Sequence, residues 1–253
     1  MRAIIDNPFI VFTIALVTQW LAATLGDLLR RRNNSIRKDE RADLDTEKSA
    51  VVTLLALIIG FSFAMAVTRY DQRKNYEEGE ANAIGTEFSR TALLPAEGAA
   101  RVRELLKQYL DQRIAFYSSN DQRQLSQIDA DTAKVQAALW DAVVPAVTAQ
   151  PTAVAALTVS GINDVLNSQS YTQAAWRNRI PIAAWSLMGL IAISCNLLIG
   201  YSEQRTRTRL LSILPVIVSI ALLLIADIDS PRGGIIRVLP PNLIALSQSL
   251  KAR

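Results

Sequence analysis

Residues 60–95 read GFSFAMAVTRYDQRKNYEEGEANAIGTEFSRTALLP, and within one helical turn this stretch changes from purely apolar to densely charged. Its apolar part closes a run that begins at Ser49 and contains no charged residue up to Thr68. About 20 apolar residues, at a rise of 1.5 Å each, cross the hydrocarbon core of a bilayer. Because no proline interrupts the chain from Ser49 to Leu94, this span is predicted to continue outward as one long helix.

Three other runs have the length and composition of membrane spans, at residues 8–29, 180–201 and 210–228. The first is interpreted as a retained anchor, because it is too long for the apolar part of a signal peptide. The predicted fold class is an all-α membrane protein: four transmembrane helices with a helical bundle domain inserted between helices 2 and 3. The expected segments are a first transmembrane hairpin at 1–68, an extramembrane helical domain at 69–179, a second hairpin at 180–229 and a C-terminal tail at 230–253.

The inserted region predicts helices, since apolar residues recur at helical spacing and the alternation typical of strands is missing. One helix is predicted after Pro95 and another over about 125–144, with Pro145 and Pro151 bracketing the turn that follows. The last helix carries an apolar stripe over 154–166. The residues of these stripes include Val102, Leu106, Tyr109 and Tyr117, and then Leu157, Ile162 and Val165.

Composition excludes several classes of function. The chain has no histidine and a single cysteine, Cys195, which excludes Ser-His-Asp triads, His-ligated zinc and an intrachain disulfide. The net charge of +4 comes largely from basic residues beside the apolar runs, so nucleic-acid binding is not expected. No nucleophile, phosphate loop or metal-ligand spacing is present, so the chain is not expected to be an enzyme or to bind a cofactor or metal. Paired carboxylates leave acid–base or Mg²⁺ chemistry as a third alternative.

Charged residues cluster where the second and fourth spans end. Arg69, Arg73 and Glu77 recur every four residues and share one helix face, and spacing alone favours a solvated helix emerging from the bilayer. The fourth span exits as ADIDSPRGGIIRV, and ion pairs between its acids and these arginines are predicted, because unpaired acids at a membrane edge are costly. The candidate charged collar consists of Arg69, Asp71, Arg73, Glu77, Glu80, Asn82, Asp227, Asp229 and Arg232.

The sequence blocks of this collar resemble the bestrophin-like domain family of bacterial membrane proteins. The resemblance covers about residues 50–245 and rests on Arg-Tyr-Asp-Gln-Arg at 69–73, Glu-Ala-Asn-Ala-Ile-Gly at 80–85, Arg-Asn-Arg-Ile-Pro at 177–181 and Asp-x-Asp-x-Pro-Arg-Gly at 227–233. It implies four spans with a helical insertion between the inner two. By analogy with bestrophin anion channels, it also implies a homo-oligomer, a pentamer in those channels. No acidic cluster with the spacing and glycine of a calcium loop is found.

Two functions of different classes remain open. The first is a homo-oligomeric, channel-like protein that conducts ions, with Gly60, Ser62 and Thr68 lining the pore and Arg69 and Arg73 at its mouth. Rings of arginine favour anions there. The alternative is a non-conducting membrane scaffold or sensor whose helical domain binds a partner or ligand. The collar would then be an ion-pair network that holds the helices together.

Charges in the short loops predict the orientation in the lipid bilayer. Basic short loops mark the cytoplasmic side, which places the helical domain of a multi-pass protein of the bacterial inner membrane outside the cytoplasm. Arginines also flank the spans on the opposite face, and the helical domain of bestrophins is cytosolic, which favours the reverse. The basic residues counted are Arg30, Arg31, Arg32, Arg37, Lys38, Arg41, Lys48, Arg205, Arg207 and Arg209.

Overall fold

The computed structural model describes residues 5–32, 38–149, 152–202 and 213–252. These residues form eight α-helices, a single turn of 3₁₀-helix at Thr91–Leu93, and no strand. The helices are α1 (Pro8–Arg32), α2 (Lys38–Arg90), α3 (Ala96–Ser118), α4 (Gln122–Ala149), α5 (Ala153–Arg177), α6 (Ile182–Ser202), α7 (Ile213–Asp229) and α8 (Pro241–Lys251).

The predicted long helix is confirmed, because α2 runs without a break for 53 residues. The helix predicted after Pro95 is also confirmed as α3, with Pro95 as its N-cap residue. The predicted turn at Pro145 was wrong, since Pro145 lies inside α4. It stands only four residues before the end of that helix, so it removes a single hydrogen bond that the rest of the helix tolerates. The helix predicted over 154–166 continues to Arg177.

Three helical stretches are long and apolar enough to cross a membrane: Pro8–Arg32, Ala42–Leu93 and Ala155–Ser202. The fourth predicted span, 210–228, begins outside the described residues, and its described part lies within the 17-residue α7. The arrangement with four spans therefore stays a prediction. So does the orientation, because four of the basic loop residues used for it lie outside the described residues: Arg37, Arg205, Arg207 and Arg209.

The chain divides into two compact units, Met1–Tyr70 with Arg179–Arg237, and Asp71–Asn178 with Val238–Arg253. The first unit has an apolar core to which α1, α2, α6 and α7 contribute, with Leu55, Met188, Leu222 and Ile225 buried. Large apolar side chains on the outside of the same helices are exposed, as Phe61 and Leu190 are at 63% each. So much exposed apolar surface requires lipid or another protein around it. The predicted four-segment division stays a prediction.

Close contact between α1 and α6 in the first unit depends on two glycines. A Cβ built on Gly26 would overlap the carbonyl oxygen of Leu197, and one on Gly200 would overlap that of Ala23. Small residues of this kind let two membrane helices bring their backbones together, where packing supplies the attraction that the hydrophobic effect cannot.

Polar side chains also join three helices of the first unit. Asn196 Nδ2 donates to Gln19 Oε1 at 3.0 Å, and Gln19 Nε2 donates to Ser219 Oγ at 3.3 Å. All three side chains are buried at 1% exposure or less. Hydrogen bonds between buried polar groups hold helices together in an apolar environment, because an unpaired group there is costly.

The second unit is a helical bundle formed by the charged part of α2 with α3, α4, α5 and α8. Its core contains Leu106, Tyr109, Leu139, Ile162 and Val165, each fully buried. The apolar stripes predicted for α3 and α5 are confirmed at these positions. The prediction was wrong for Leu157, which is 49% exposed.

We expect Gly200→Ala to lower the stability of the protein by about 1–3 kcal/mol, the usual range for overpacking, because the added methyl group would separate α1 from α6. The measurement is the apparent melting temperature of detergent-purified protein. Gly189→Ala is the matched control on the same helix, since nothing lies within 4 Å of a Cβ built there. That control should be neutral or slightly stabilising. Equal melting temperatures for the two variants would contradict the close contact.

Candidate functional site

Helix α2 buries one face from Leu55 to Glu87, and none of its side chains described before Leu55 is buried. With 3.6 residues per turn, positions three, four or seven residues apart stay on the same side of a helix. Arg73, Glu80 and Glu87 are fully buried on this face and Glu77 is 2% exposed, so the interpretation as a solvated helix was wrong here. The buried face consists of Leu55, Ser62, Ala66, Arg73, Glu77, Glu80, Ile84 and Glu87.

Within the apolar part of α2, the opposite face exposes the large side chains of Leu57 and Phe61. Beside them and beyond, the same face carries exposed small and polar residues. We call this set the exposed stripe, and it consists of Gly60, Ala64, Thr68, Asp71, Asn75, Glu78 and Asn82. Of the three residues predicted to line a pore, Gly60 and Thr68 therefore share a face, whereas Ser62 lies about 200° round the helix from Gly60 and is buried. The collar residues of α2 are divided in the same way, with Asp71 and Asn82 on the exposed stripe.

In the first unit, Asp229 at the end of α7 binds the start of α6. Its two carboxylate oxygens accept hydrogen bonds from the backbone N–H of Ile180, at 3.2 and 3.1 Å. Arg69 Nη1 lies 3.7 Å from Oδ1, and Arg179 Nε lies 3.5 Å from Oδ2. The predicted ion pair between Arg69 and an acid of this turn is thus confirmed. Arg179 also pairs with Asp6.

Asp227, two residues earlier, is bound to the backbone of the turn that follows α7. Its Oδ1 accepts from the N–H of Ile235 at 2.7 Å, and its Oδ2 accepts from that of Ile236 at 3.0 Å. Gly234 has a φ of +81°, and a Cβ there would overlap Asp227 Oδ1. Asp227 therefore binds backbone amides instead of the predicted arginine. Gly234 is required there because its φ is positive and because a side chain at this position would overlap the Asp227 carboxylate. Arg232 is half-buried in this turn.

In the second unit, Arg73 binds the C-terminal end of α5. Its Nε donates to the carbonyl oxygen of Ala175 at 3.3 Å, and its Nη2 donates to that of Asn178 at 3.2 Å. The last carbonyl groups of a helix have no partner within the helix, and the partial negative charge there favours a cation. The fully buried guanidinium therefore satisfies groups that α5 cannot satisfy alone.

Glu77 binds the N-terminal end of α8, where the unpaired backbone groups are donors. Its Oε1 accepts from the backbone N–H groups of Asn242 and Leu243 at 3.0 and 2.9 Å, and its Oε2 accepts from Asn242 Nδ2 at 2.6 Å. The first N–H groups of a helix are unpaired and carry partial positive charge. The Glu77 carboxylate thus attaches the C-terminal helix to α2.

Glu80 joins α2 to α3 and α5 in a network that the sequence analysis missed. Its carboxylate pairs with the buried Arg113, and accepts from the hydroxyls of Tyr117 at 3.2 Å and Thr172 at 3.3 Å. Burial, with the neighbouring carboxylate, raises the pKa of Tyr117, so its hydroxyl remains a donor. One sequence signal was present: Arg113 interrupts the apolar stripe midway between Tyr109 and Tyr117, where a solvated charge would not stand.

Glu87 is the exception among the buried charges of α2. Neither carboxylate oxygen has a hydrogen-bond partner among the described residues, and the guanidinium of Arg90 lies 3.8 Å away. A Cβ built on Gly161 of α5 would overlap Glu87 Oε2, so this glycine lets the two helices meet. Burial raises the pKa of Glu87 to about 8, against the smaller opposing effect of Arg90, and Asp164 adds to the rise. The carboxyl group is therefore largely protonated at neutral pH.

The model of the bestrophin-like domain family matches residues 16–243. The chain belongs to the bestrophin-like family. The family resemblance that the sequence blocks of the collar predicted is confirmed. All the collar residues of this bestrophin-like chain lie within the matched region. Among curated proteins, none matches the chain.

Crystal structures of bacterial bestrophin homologues, and one of a membrane protein, share the fold of this bestrophin-like chain. A bestrophin homologue from Klebsiella pneumoniae, solved by Zn-SAD phasing, is 13% identical with a TM-score of 0.65, over 96% of this chain and 95% of that one. A point mutant of a Klebsiella pneumoniae homologue is 12% identical with a TM-score of 0.67, over 95% and 94%. A structure described as a membrane protein mutant is 13% identical with a TM-score of 0.67, over 95% and 96%. At such identities, the likeness establishes the fold alone.

We expect Asp229→Ala to lower stability by about 3 kcal/mol, because it leaves two arginines and a buried N–H group without their carboxylate. The measurement is again the apparent melting temperature in detergent. Asp71→Ala, which removes an exposed acid two residues after Arg69, should change it little. An unchanged melting temperature in Asp229→Ala would exclude a structural role for the carboxylate.

We expect Glu87→Gln to alter the pH dependence of stability. The Glu87 carboxyl ionises near pH 4.5 in the unfolded chain and near pH 8 in the folded chain, so the folded state retains its proton longer. The stability of the native protein should therefore fall as pH rises through this window. The stability of Glu87→Gln should not show this decrease, because glutamine does not ionise. The melting temperature of Glu87→Gln minus that of the native protein should increase from pH 5 to pH 8.

Glu78→Gln, an exposed substitution on the same helix, serves as the control for the pH experiment. It should follow the native protein at every pH. A constant difference between Glu87→Gln and the native protein over the whole window would contradict a protonated, buried Glu87.

Proposed function

We propose that this bestrophin-like protein is a homo-oligomeric ion channel of the bacterial inner membrane. Four spans, with the region 69–179 inserted between the second and third, surround a path faced by the exposed stripe of α2. On this proposal the charged collar is mainly structural, and the protein is not an enzyme. The region 69–179 lies outside the cytoplasm if the short basic loops set the orientation.

The exposed stripe is the observation that supports this proposal. Within the apolar part of α2 it presents Gly60, Ala64 and Thr68, and nothing lies within 4 Å of a Cβ built on Gly60. Beyond that part it continues with carboxylate and amide side chains. Small residues at membrane depth let another protein helix approach closely, and the hydroxyl of Thr68 donates to the carbonyl oxygen of Ala64 on its own helix. A single helix cannot enclose water, so several copies of the chain have to present this face to a common axis.

The face on which each charge lies also bears on which ion is conducted. The expectation of anions rested on Arg69 and Arg73, but Arg73 is fully buried against backbone carbonyls and Arg69 is paired with Asp229. The acids Asp71 and Glu78 lie on the exposed stripe, with Lys74 at its edge. Rings of acidic side chains favour cations, so we propose a preference for cations over anions.

A non-conducting scaffold or sensor remains the second candidate. It is favoured by the collar itself, where Arg73, Glu77, Glu80, Asp227 and Asp229 are each engaged with helix ends, backbone amides or buried partners. Such a network needs no ion flow to explain it. Measurement of flux separates the two candidates directly.

We expect purified full-length protein in liposomes to pass K⁺, and Asp71→Lys to lower the K⁺ over Cl⁻ permeability ratio several-fold, as reversal potentials in a salt gradient would show. The reason is that each copy would replace an acid on the path by a base. Asp111→Lys makes the same charge change at an exposed site on α3 and should leave the ratio unchanged.

Flux no greater than that of empty liposomes would exclude conduction and favour the scaffold or sensor. Flux whose selectivity is the same in Asp71→Lys and in the native protein would exclude the exposed stripe as the pore face.

A further inference from the structure

A pocket of about 480 Å³ lies in the second unit, away from the collar residues. It is formed by the C-terminal end of α2, the 3₁₀ turn, α3 and the end of α8. This volume lies within the range of pockets that hold small organic ligands. Its lining residues are Phe88, Ser89, Ala92, Arg103, Lys107 and Leu250.

Two cations dominate the chemistry of this pocket. The guanidinium carbon of Arg103 lies 5.8 Å from the centre of the Phe88 ring, and Lys107 Nζ lies 5.9 Å from it. Among the described residues, neither side chain forms a salt bridge, and the lining of the pocket contains no carboxylate. The ring gives each cation a partial counterpart, but it carries no net charge.

The Arg103 guanidinium is held in a fixed orientation. Its Nε donates to Thr91 Oγ1 at 2.7 Å, and that hydroxyl donates to the carbonyl oxygen of Phe88 at 2.6 Å. No described residue accepts a hydrogen bond from the two terminal amino groups of the guanidinium, which leaves them for other acceptors. A pair of parallel N–H groups in this arrangement matches the oxygens of a phosphate or carboxylate.

The spacing of Arg103 and Lys107 also favours the binding of an anion between them. Arg103 and Lys107 are four residues apart on α3, so they lie on one face, and like charges at that spacing destabilise a helix. Both are only partly exposed, which weakens the screening of their repulsion by water. An anion between them would relieve the repulsion and gain hydrogen bonds from both. The apolar walls provided by Phe88, Ala92 and Leu250 suit a ligand with an apolar body.

We propose that this pocket binds a small amphipathic anion, with a phosphate or carboxylate group between Arg103 and Lys107 and an apolar body against Phe88 and Leu250. The anionic group belongs either to a free metabolite-sized molecule or to the headgroup of a lipid. The proposal is independent of conduction, because it requires only the second unit and its own side chains.

The test is isothermal titration of full-length protein in nanodiscs of phosphatidylcholine, with phenyl phosphate and inorganic phosphate as probes. Phenyl phosphate should bind with one site per chain and more tightly than inorganic phosphate. Arg103→Gln and Lys107→Gln should each weaken phenyl phosphate about tenfold or more, the usual effect of losing one charge-assisted hydrogen bond. Arg101→Gln removes an exposed charge from the same helix and should leave binding unchanged.

A third variant tests the apolar wall separately from the charges. Leu250→Ala should weaken the binding of phenyl phosphate and leave the affinity for inorganic phosphate unchanged. Melting curves of all variants confirm that each is folded. No saturable binding of either probe at millimolar concentration would overturn the proposal, and so would equal affinity in the native protein and the Arg103→Gln, Lys107→Gln double variant.

Nanodiscs that contain anionic phosphatidylglycerol distinguish the two sources of the anion. If a lipid headgroup occupies the pocket, the affinity of the native protein for phenyl phosphate should fall in these discs, which supports the site with lipid as its occupant. An unchanged affinity in the two kinds of disc, still sensitive to Arg103→Gln, supports the site with a free anion as its occupant.

Discussion

The buried charges of α2 constrain much of the structure, because a charge removed from water has to be paired or neutralised. Arg73 meets this requirement with the last carbonyls of α5, and Glu77 with the first amides of α8. Glu80 meets it with a buried arginine and two hydroxyls. Each solution brings another helix to α2, so the electrostatic requirement of one helix face specifies the neighbours of the bundle. Glu87 meets the same requirement differently, by retaining its proton.

The same physical rule operates in the first unit with different groups. Asp229 and Asp227 end α7 with carboxylates that accept backbone amides, and Asp229 adds the guanidinium groups of Arg69 and Arg179. Deeper in the unit, amide and hydroxyl side chains pair with each other. An apolar environment makes every unpaired polar group expensive. Most of the buried polar side chains described in this unit are therefore paired.

One helix thus has two separate roles. Its buried face carries the paired charges that stabilise the fold, while its exposed stripe is left for whatever surrounds the chain. This separation bears on the proposed conduction, since a side chain can contact a passing ion only from the exposed side. Arginines that suggest an anion path in the sequence are engaged by protein, and acids remain on the open face. The fold shared with bacterial bestrophin homologues is compatible with either ion.

Much of this protein can be predicted from the sequence, because local patterns carry the information. An uninterrupted run without proline predicts the long α2, apolar runs of about 20 residues predict spans, and the blocks at 69–73 and 227–233 identify the bestrophin-like family. These features depend on neighbours along the chain, within a helical turn or a single element. Even the pairing of Arg69 with an acid of the last turn follows from the cost of an isolated charge.

Only the tertiary structure decided which side of α2 is covered. Helical spacing places residues on common faces, but the face that is buried depends on helices contributed by distant parts of the sequence. Spacing therefore grouped Arg73 with Glu77 correctly and still misjudged both as solvated. It also could not show that Ser62 is buried and Gly60 exposed, or find Arg113 as the partner of Glu80, 33 residues away. Burial is a property of the whole packed chain, and the periodicity of one segment cannot specify it.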